Sequence, residues 1–208
     1  MTELPPNANS VGRARGRYAK STDRRDAILD AALEVFAEGG YRAGSLREVA
    51  SRVGMSESGL LHHFNSKARL LAAVLDRRDE LAEQILPRNP ENGVSALRGL
   101  VELARFNAST PGAVEIHCTL SAEATSPDHP AHAYFVRRYE SIRERLHNSF
   151  TDLAAHGQLR PGITPGYAAR ATIAVMDGLQ VQWLLDRSSL DMAEELSTYL
   201  RGITDVDF

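Results

Sequence analysis

Hydrophobic residues recur three and four positions apart along most of the chain downstream of residue 21. Such spacings place side chains on one face of a helix, whereas a half-buried strand would show strict alternation. The sequence has no alternating run long enough to form a strand. The pattern therefore predicts an all-α chain of roughly nine helices. Four helices come before Pro87, and the later ones are expected at about 94–109, 112–125, 130–156, 165–187 and 191–203.

The first four predicted helices each follow a residue suited to the helix N-cap. The hydroxyl of such a residue accepts a hydrogen bond from a backbone N–H that the helix leaves unpaired. Gly39–Gly40 ends the first helix and Gly54 ends the second, and the fourth is expected to cover 67–86. The predicted caps, in chain order, are Ser21 or Thr22, Ser45, Ser56 and Ser66.

The composition divides the chain into three predicted units. Residues 1–21 are rich in Pro, Asn, Gly, Ser and Arg with little to bury, which favours a flexible basic arm. Residues 22–68 form a head and residues 69–208 a helical body, with a further polar break over 87–93. Two interpretations of the arm stay open, a cationic segment along DNA or a solvated tail. Its cations are Arg13, Arg15, Arg17 and Lys20.

Residues 45–64 fit a helix-turn-helix. The two short helices need a small residue where they cross, which Ala50 supplies, and a turn residue that tolerates left-handed geometry, which Gly54 supplies. Apolar side chains must hold both helices against a third helix while polar side chains face outward. The expected apolar anchors are Leu46, Val49, Val53, Met55, Leu60 and Phe64.

Charge is distributed unevenly between the head and the body. The net charge is −3, but residues 11–70 contain 11 Lys/Arg and 7 Asp/Glu, whereas residues 71–208 contain 13 and 19. A basic end suits phosphate binding. The only cysteine is Cys118, which excludes an intramolecular disulfide and suits a reducing compartment. With no signal peptide and no apolar run long enough to span a bilayer, we expect a cytoplasmic protein without membrane partners.

Residues 45–71 resemble the signature of the tetracycline-repressor (TetR) family of transcriptional regulators. The resemblance is strong over 24–75 and elsewhere covers only length and helix number. Leu61 departs from the pattern, because the family usually has tyrosine there, and this puts in doubt an operator preference inferred from relatives. The positions that match the signature are Ser45, Val49, Ala50, Gly54, Met55, Ser56, Leu60, His63, Phe64, Ser66, Lys67, Leu70 and Leu71.

The resemblance and the helical positions together assign candidate DNA contacts. Ser45 and Lys67 lie at helix N-termini, where backbone N–H groups favour a phosphate. Arg47 can reach the DNA backbone or a guanine edge, and His63 is expected to contact phosphate. Ser45 and Ser56 also have a purely structural interpretation as caps. The residues expected to face the major groove are Ser56, Glu57, Ser58, Leu61 and His62.

No metal site is predicted in either half of the chain. His62 and His63 are adjacent, so their side chains point about 100° apart on a helix and cannot share one ion. The same test rejects His117 and Cys118 as a metal or redox pair. No cofactor is predicted.

The segment 165–187 is apolar on more than one face, which places it in the middle of a core or against a partner. The resemblance implies that the last two helices pair with their copies, giving a homodimer. A monomer with a buried central helix is the alternative. A dimer also makes physical sense, because one short recognition helix reads few base pairs.

The helices over 94–156 combine apolar residues with groups that can orient a ligand. Tyr134 and Tyr139 are five residues apart, so we expect only one of them to face inward. A clearer core stripe consists of Phe135, Tyr139, Ile142, Leu146, Phe150 and Leu153. The candidate ligand-binding residues are Phe106, His117, Cys118, Tyr134, Tyr139 and Trp183.

The resemblance implies a transcriptional repressor that binds palindromic operator DNA as a dimer and is released by an unidentified small-molecule effector. The helix at 67–86 is expected to transmit the effector signal to the head. An enzyme is disfavoured, because the sequence has no phosphate loop, H-E-x-x-H or nucleophile elbow. A helical interaction module that has lost DNA binding and an activator within the family remain as alternatives.

Overall fold

The computed structural model describes the backbone of residues 10–87 and 90–208 and the side chains of 23–87 and 90–208. These residues form nine α-helices and one isolated antiparallel bridge, between Leu159 and Thr204. The predicted all-α class is confirmed. The helices are α1 (Ser10–Ala43), α2 (Leu46–Arg52), α3 (Glu57–Phe64), α4 (Lys67–Ile85), α5 (Gly93–Ser109), α6 (Pro111–Glu123), α7 (His132–Ala155), α8 (Pro165–Leu185) and α9 (Met192–Ile203).

The start of the first helix differs from its prediction. The backbone is helical from Ser10, so the cap predicted at Ser21 or Thr22 is wrong, and both residues lie inside α1. This stretch contains no proline and several Ala, Arg and Lys residues, whose helix propensity is compatible with a longer helix. Residues 1–9 of the predicted arm lie outside the described residues. The described residues also exclude the side chains of Arg13, Arg15, Arg17 and Lys20.

The three serine caps within the head are confirmed. Each hydroxyl accepts a hydrogen bond from the backbone N–H three residues later, an arrangement that stabilises a helix by about 1 kcal/mol. The bonds are Glu48 N–H to Ser45 Oγ at 3.1 Å, Gly59 N–H to Ser56 Oγ at 3.1 Å and Arg69 N–H to Ser66 Oγ at 3.2 Å.

The turn between α2 and α3 has the predicted geometry. Gly54 adopts a φ of +65°, in the left-handed region. The N–H of Met55 donates to the carbonyl of Ala50 over 2.9 Å, and Ala50 is buried where the two helices meet. The turn therefore fixes α3 across α2, with Leu60 and Phe64 directed into the core.

Two hydrophobic cores hold the helices together. The second joins α5, α7, α8 and α9, and its fully buried members include Leu97, Phe150, Leu153 and Leu196. The first fills the head and continues along α4 as far as Leu75. It also takes in residues of the body, namely Ile116, Leu120, Ala124, Ala131 and Phe135.

The head and the body are joined by α6 as well as by α4. Helix α1 kinks at Gly40, whose φ is +68° and whose missing side chain leaves room for the Glu123 carboxylate. The N–H of Tyr41 donates to Glu123 Oε2 over 2.8 Å, and His129 Nε2 lies 3.3 Å from the same oxygen. A contact from the end of α6 therefore reaches the end of the first head helix. The sequence pattern indicated only the connection through α4.

Candidate DNA-binding surface and body cavity

Helix α3 presents a polar, exposed face on the outside of the head. Leu60 and Phe64 are buried, and Leu61 is half-buried. The Ser56 hydroxyl caps the helix and lies 3.0 Å from the Ser58 hydroxyl. The residues exposed along this face are Ser56, Glu57, Ser58, His62 and His63. All of the predicted groove-facing side chains are therefore at least partly accessible.

The N-terminus of α2 adds a cation beside this face. Ser45 and Arg47 are exposed, and no ion pair to Arg47 occurs among the described side chains. Arg52 on the same helix is engaged differently, because its guanidinium bridges three carboxylates within the head. Its partners are Glu34 at 3.1 Å, Glu38 at 2.6 Å and Glu48 at 3.0 Å.

Lys67 is less free than its position at the start of α4 suggests. Its Nζ donates to the carbonyl of Arg42 over 3.3 Å and lies 4.5 Å from the ring centre of Tyr41. Partial burial lowers the pKa of its ammonium group. The side chain thus ties α4 to the end of α1, and its predicted contact with phosphate stays a prediction.

The body contains a cavity of about 1100 Å³, partly open to solvent, between α4, α5, α6, α7 and α8. One part of its wall is apolar, with Leu100, Leu103, Phe106, Ile142 and Met176. Ligand sites in proteins usually have volumes of about 300–1,000 Å³, mostly apolar walls and a few convergent polar groups. Its size and lining therefore match those of a small-molecule site.

Two carboxylates organise the polar part of the wall. Asp79 on α4 accepts a hydrogen bond from the Tyr134 hydroxyl over 2.7 Å and pairs with Arg138 of α7. Asp177 on α8 accepts one from the Tyr139 hydroxyl over 2.8 Å, and its other oxygen lies 3.3 Å from His117 Nε2. Asp79 therefore joins α4 to α7, and Asp177 joins α8 to both α6 and α7.

Comparison with known families agrees with this arrangement. The family described as bacterial regulatory proteins, tetR family, matches residues 28–74. The C-terminal domain of BetI-type transcriptional repressors matches residues 96–205, more than half of the chain. The chain belongs to the TetR family.

Individual relatives of this TetR-family regulator share either the head or most of its length. UidR of Escherichia coli strain K12, an HTH-type transcriptional regulator, is 26% identical over 174 residues, which cover 83% of this chain and 86% of UidR. FasR of Mycolicibacterium smegmatis, an HTH-type transcriptional activator, is 44% identical over 66 residues, only 32% of this chain and 30% of FasR. Both relatives are described as transcriptional regulators.

A solved structure shows the same fold. NalD, the secondary repressor of the MexAB-OprM multidrug efflux pump in Pseudomonas aeruginosa, superposes with a TM-score of 0.65 at 25% identity. The alignment covers 89% of the TetR-family chain and 97% of NalD. None of the helices in the described ranges combines enough length and apolarity to cross a bilayer.

The cavity contains four of the six predicted ligand-binding residues, namely Phe106, His117, Tyr134 and Tyr139. The expectation that only one of the two tyrosines faces inward is wrong, because the cavity extends along α7 from α4 to α8. Tyr134 therefore reaches Asp79, and Tyr139 reaches Asp177.

The structure places Cys118 and Trp183 outside the cavity lining. Cys118 follows His117 on α6, so it points in another direction and packs against the second core. Trp183 is a buried member of that core, and the guanidinium of Arg187 lies 5.2 Å from its ring centre.

The charged and amide residues of the cavity were missed by the sequence analysis. Asp177 carried a usable signal, because it is the only charged residue in the apolar stretch 171–185. Arg78 carried no such signal, since charges are frequent along its helix. In the structure Arg78 is buried, and its Nε donates to the Ala113 carbonyl over 3.0 Å. The missed residues include Arg78, Asp79, Arg138, Asp177 and Gln180.

Burial of His117 predicts a pH dependence of stability. Burial, and then the charge of Arg78, lowers the pKa of His117 to about 4. The unfolded chain, with a histidine pKa of about 6.5, therefore binds a proton that the folded chain does not, in the window between those two values. The free energy of unfolding should fall as pH decreases through this window. Between pH 7.5 and 5.5, the free energy of unfolding of His117→Phe should decrease by about 1 kcal/mol less than that of the wild type.

Urea unfolding at the two pH values and one protein concentration measures this difference. His156→Phe is the matched control, because His156 is exposed at the end of α7, and its pH dependence should equal that of the wild type. An equal pH dependence for the wild type and His117→Phe would contradict the prediction.

Proposed function

We propose that this TetR-family regulator is a repressor that binds a palindromic operator as a homodimer and releases it when a small molecule occupies the body cavity. The observation that carries the proposal is that two helices, α4 and α6, connect the large body cavity to the head, which presents the polar face of α3. In this proposal residues 22–68 contact DNA, and residues 69–208 bind the effector and form the dimer.

The proposed DNA contacts come from two helix N-termini and the outer face of α3. Arg47 and Lys67 supply positive charge for phosphates, and Ser45 places a helix N-terminus nearby. The half-buried Leu61 offers apolar contact to a thymine methyl group. The polar side chains proposed to face the major groove or its flanking phosphates are Ser56, Glu57, Ser58, His62 and His63.

An exposed apolar line along α8 supports the homodimer. Tyr167, Val181 and Leu185 have exposed fractions of 59%, 48% and 83%. They fall on one side of the helix, with alternating spacings of three and four, together with Ala171, Ala174 and Gly178. Large apolar side chains beside small ones suit close packing against a second copy of the same helix.

The cavity walls provide the connection to the head. On α6, His117 lines the cavity while its neighbour Ile116 packs in the first core. On α4, Arg78 and Asp79 line the cavity, and the same helix begins at Lys67 beside the head. The bond from Arg78 to the Ala113 carbonyl connects the two helices. A ligand that contacts both walls therefore contacts both helices that connect the body to the head, α4 and α6.

The coupling needs only a difference in ligand affinity between two arrangements of the body. Operator half-sites lie about 34 Å apart, one turn of DNA, so a shift of a few ångströms between the two recognition helices moves their side chains away from the bases and phosphates. Repression results when the unliganded dimer holds its two recognition helices at this spacing.

Selection of bound duplexes from a random pool, using the purified full-length protein, tests the operator proposal. We expect enrichment of a palindrome with two half-sites about one helical turn apart. A single unrepeated site, or no enrichment at low ionic strength, would contradict it.

A reporter gene placed behind the selected site tests the sign of regulation. Expression should fall when the protein is supplied, whereas an increase would identify an activator, as FasR is described.

A further inference from the structure

Three residues of the cavity lining carry a buried polar atom without a hydrogen-bond partner: His117 Nδ1 and Gln180 Oε1 are acceptors, and Arg138 Nε is a donor. His117 Nδ1 and Gln180 Oε1 are inaccessible to solvent and have no partner among the described residues. Their residues are 6% and 4% exposed, and both line the cavity. An unpaired buried polar atom costs about 1–3 kcal/mol, so a donor from a bound molecule would be stabilising.

The neighbouring Asp177 fixes the role of the histidine ring. His117 Nε2 lies 3.3 Å from Asp177 Oδ1, so Nε2 carries the proton and donates to the carboxylate. Nδ1 is then left with a lone pair. Because burial keeps the pKa of this imidazole at about 4, the ring is neutral at pH 7 and Nδ1 acts only as an acceptor.

The charges around these acceptors disfavour an ionic ligand. The guanidinium groups of Arg78 and Arg138 both oppose a positive charge on His117, and an ammonium group bound at Nδ1 would meet the same repulsion. An anion would lie near the carboxylates of Asp79 and Asp177. The charges of both guanidinium groups are met by Asp79, which pairs with Arg138 and lies 3.7 Å from Arg78, although Arg138 Nε has no partner and can donate to an oxygen of a ligand.

We propose that the cavity binds an uncharged, mainly apolar molecule whose hydroxyl group donates to His117 Nδ1, with Gln180 Oε1 as acceptor for a second donor. Phenols and alcohols with an apolar body are the ligand class. The volume of about 1100 Å³ and the apolar wall accommodate a fused-ring or long-chain body. The inference rests on the proposed function only in treating this cavity as the effector site.

Calorimetric titration of the full-length protein without DNA tests the ligand class. The probes share one apolar body and differ in one group: para-hexylphenol, para-hexylanisole, para-hexylbenzoate and para-hexylbenzylamine. We expect the phenol to bind about tenfold more tightly than the anisole, which lacks the donor, and more tightly than either ion. Equal affinity for the anisole, tighter binding of either ion, or no binding of the phenol would overturn the proposal.

Two variants locate the donor contact. His117→Phe keeps a ring but removes the acceptor, so the preference for phenol over anisole should fall to about onefold to twofold. His156→Phe should keep the full preference, because His156 lies outside the cavity lining. Gln180→Met, of similar size, should keep the preference for the phenol over the anisole. It should weaken binding of para-hexylresorcinol, a matched probe with two hydroxyl groups. This variant tests the second contact if His117→Phe does not fold. An unchanged preference in folded His117→Phe would overturn the assignment.

Failure of this inference and failure of the proposed function are distinguishable. If the phenol binds as predicted but the operator complex is unaffected, effector release is wrong while the ligand class stands. If an ionic probe binds best and releases the operator, the ligand class is wrong while the proposed function stands.

Discussion

Replacing Val181 by glutamate is expected to convert the protein into a monomer and to abolish operator binding. Val181 is 48% exposed in the C-terminal half of the apolar line on α8, and Gly178 one turn earlier has open space where a side chain would extend. In a two-fold dimer the substitution buries a carboxylate from each protomer without a partner. The penalty is several kcal/mol per charge, so we expect the dimer affinity to fall at least about 100-fold.

Loss of the dimer should reduce operator affinity by a similar factor, because each protomer then binds one half-site alone. Light scattering over a range of concentrations measures the first effect, and titration of the selected operator measures the second. Ala72→Glu is the control for the added charge, since Ala72 is exposed on α4, a helix outside the proposed interface. A dimeric Val181→Glu protein would exclude α8 as the interface.

Charge reversal at Arg47 is expected to cause the second largest effect. Arg47 is exposed near the start of α2, and Arg47→Glu replaces attraction to phosphate by repulsion in both protomers. We expect operator affinity to fall about 100-fold or more. The slope of log affinity against log salt concentration should decrease by about 1 for each phosphate that the arginine no longer neutralises.

Binding measured at several salt concentrations separates this effect from misfolding, because an electrostatic effect changes the slope as well as the affinity. Arg143→Glu provides a control with the same charge change at an exposed site on α7 of the body. If Arg47→Glu retained both the affinity and the slope, α2 would not contact phosphate. The alternative of a helical protein-interaction module would then gain support.

The helix-turn-helix shows why local sequence was sufficient for the head. Its caps, its glycine turn and its apolar spacing each involve residues within a few positions of one another, so periodicity and cap chemistry specify them. The observed bonds to Ser45, Ser56 and Ser66 and the positive φ of Gly54 follow that reasoning directly. The early start of α1 is not specified in this way, because residues 10–22 contain too few large apolar residues to show the spacing typical of a packed helix.

The cavity shows where local sequence was insufficient. Asp79 and Arg138 are 59 positions apart, and His117 and Asp177 are 60 apart, so no local pattern relates them. The bond between Tyr41 and Glu123, 82 positions apart, joins the head to α6 in the same way. Whether a polar residue on an amphipathic helix faces water or a cavity depends on which helix packs beside it.

Short-range spacing and the types of side chain at fixed positions were enough to establish the all-α class, the polar outer face of α3 and the family. They could not establish which residues surround the cavity, that Cys118 and Trp183 do not, or that α6 contacts the head directly. Burial and pairing in the body arise between helices that meet in space although their residues are far apart in sequence. The positions of those helices follow from the packing of the whole chain and not from any one segment.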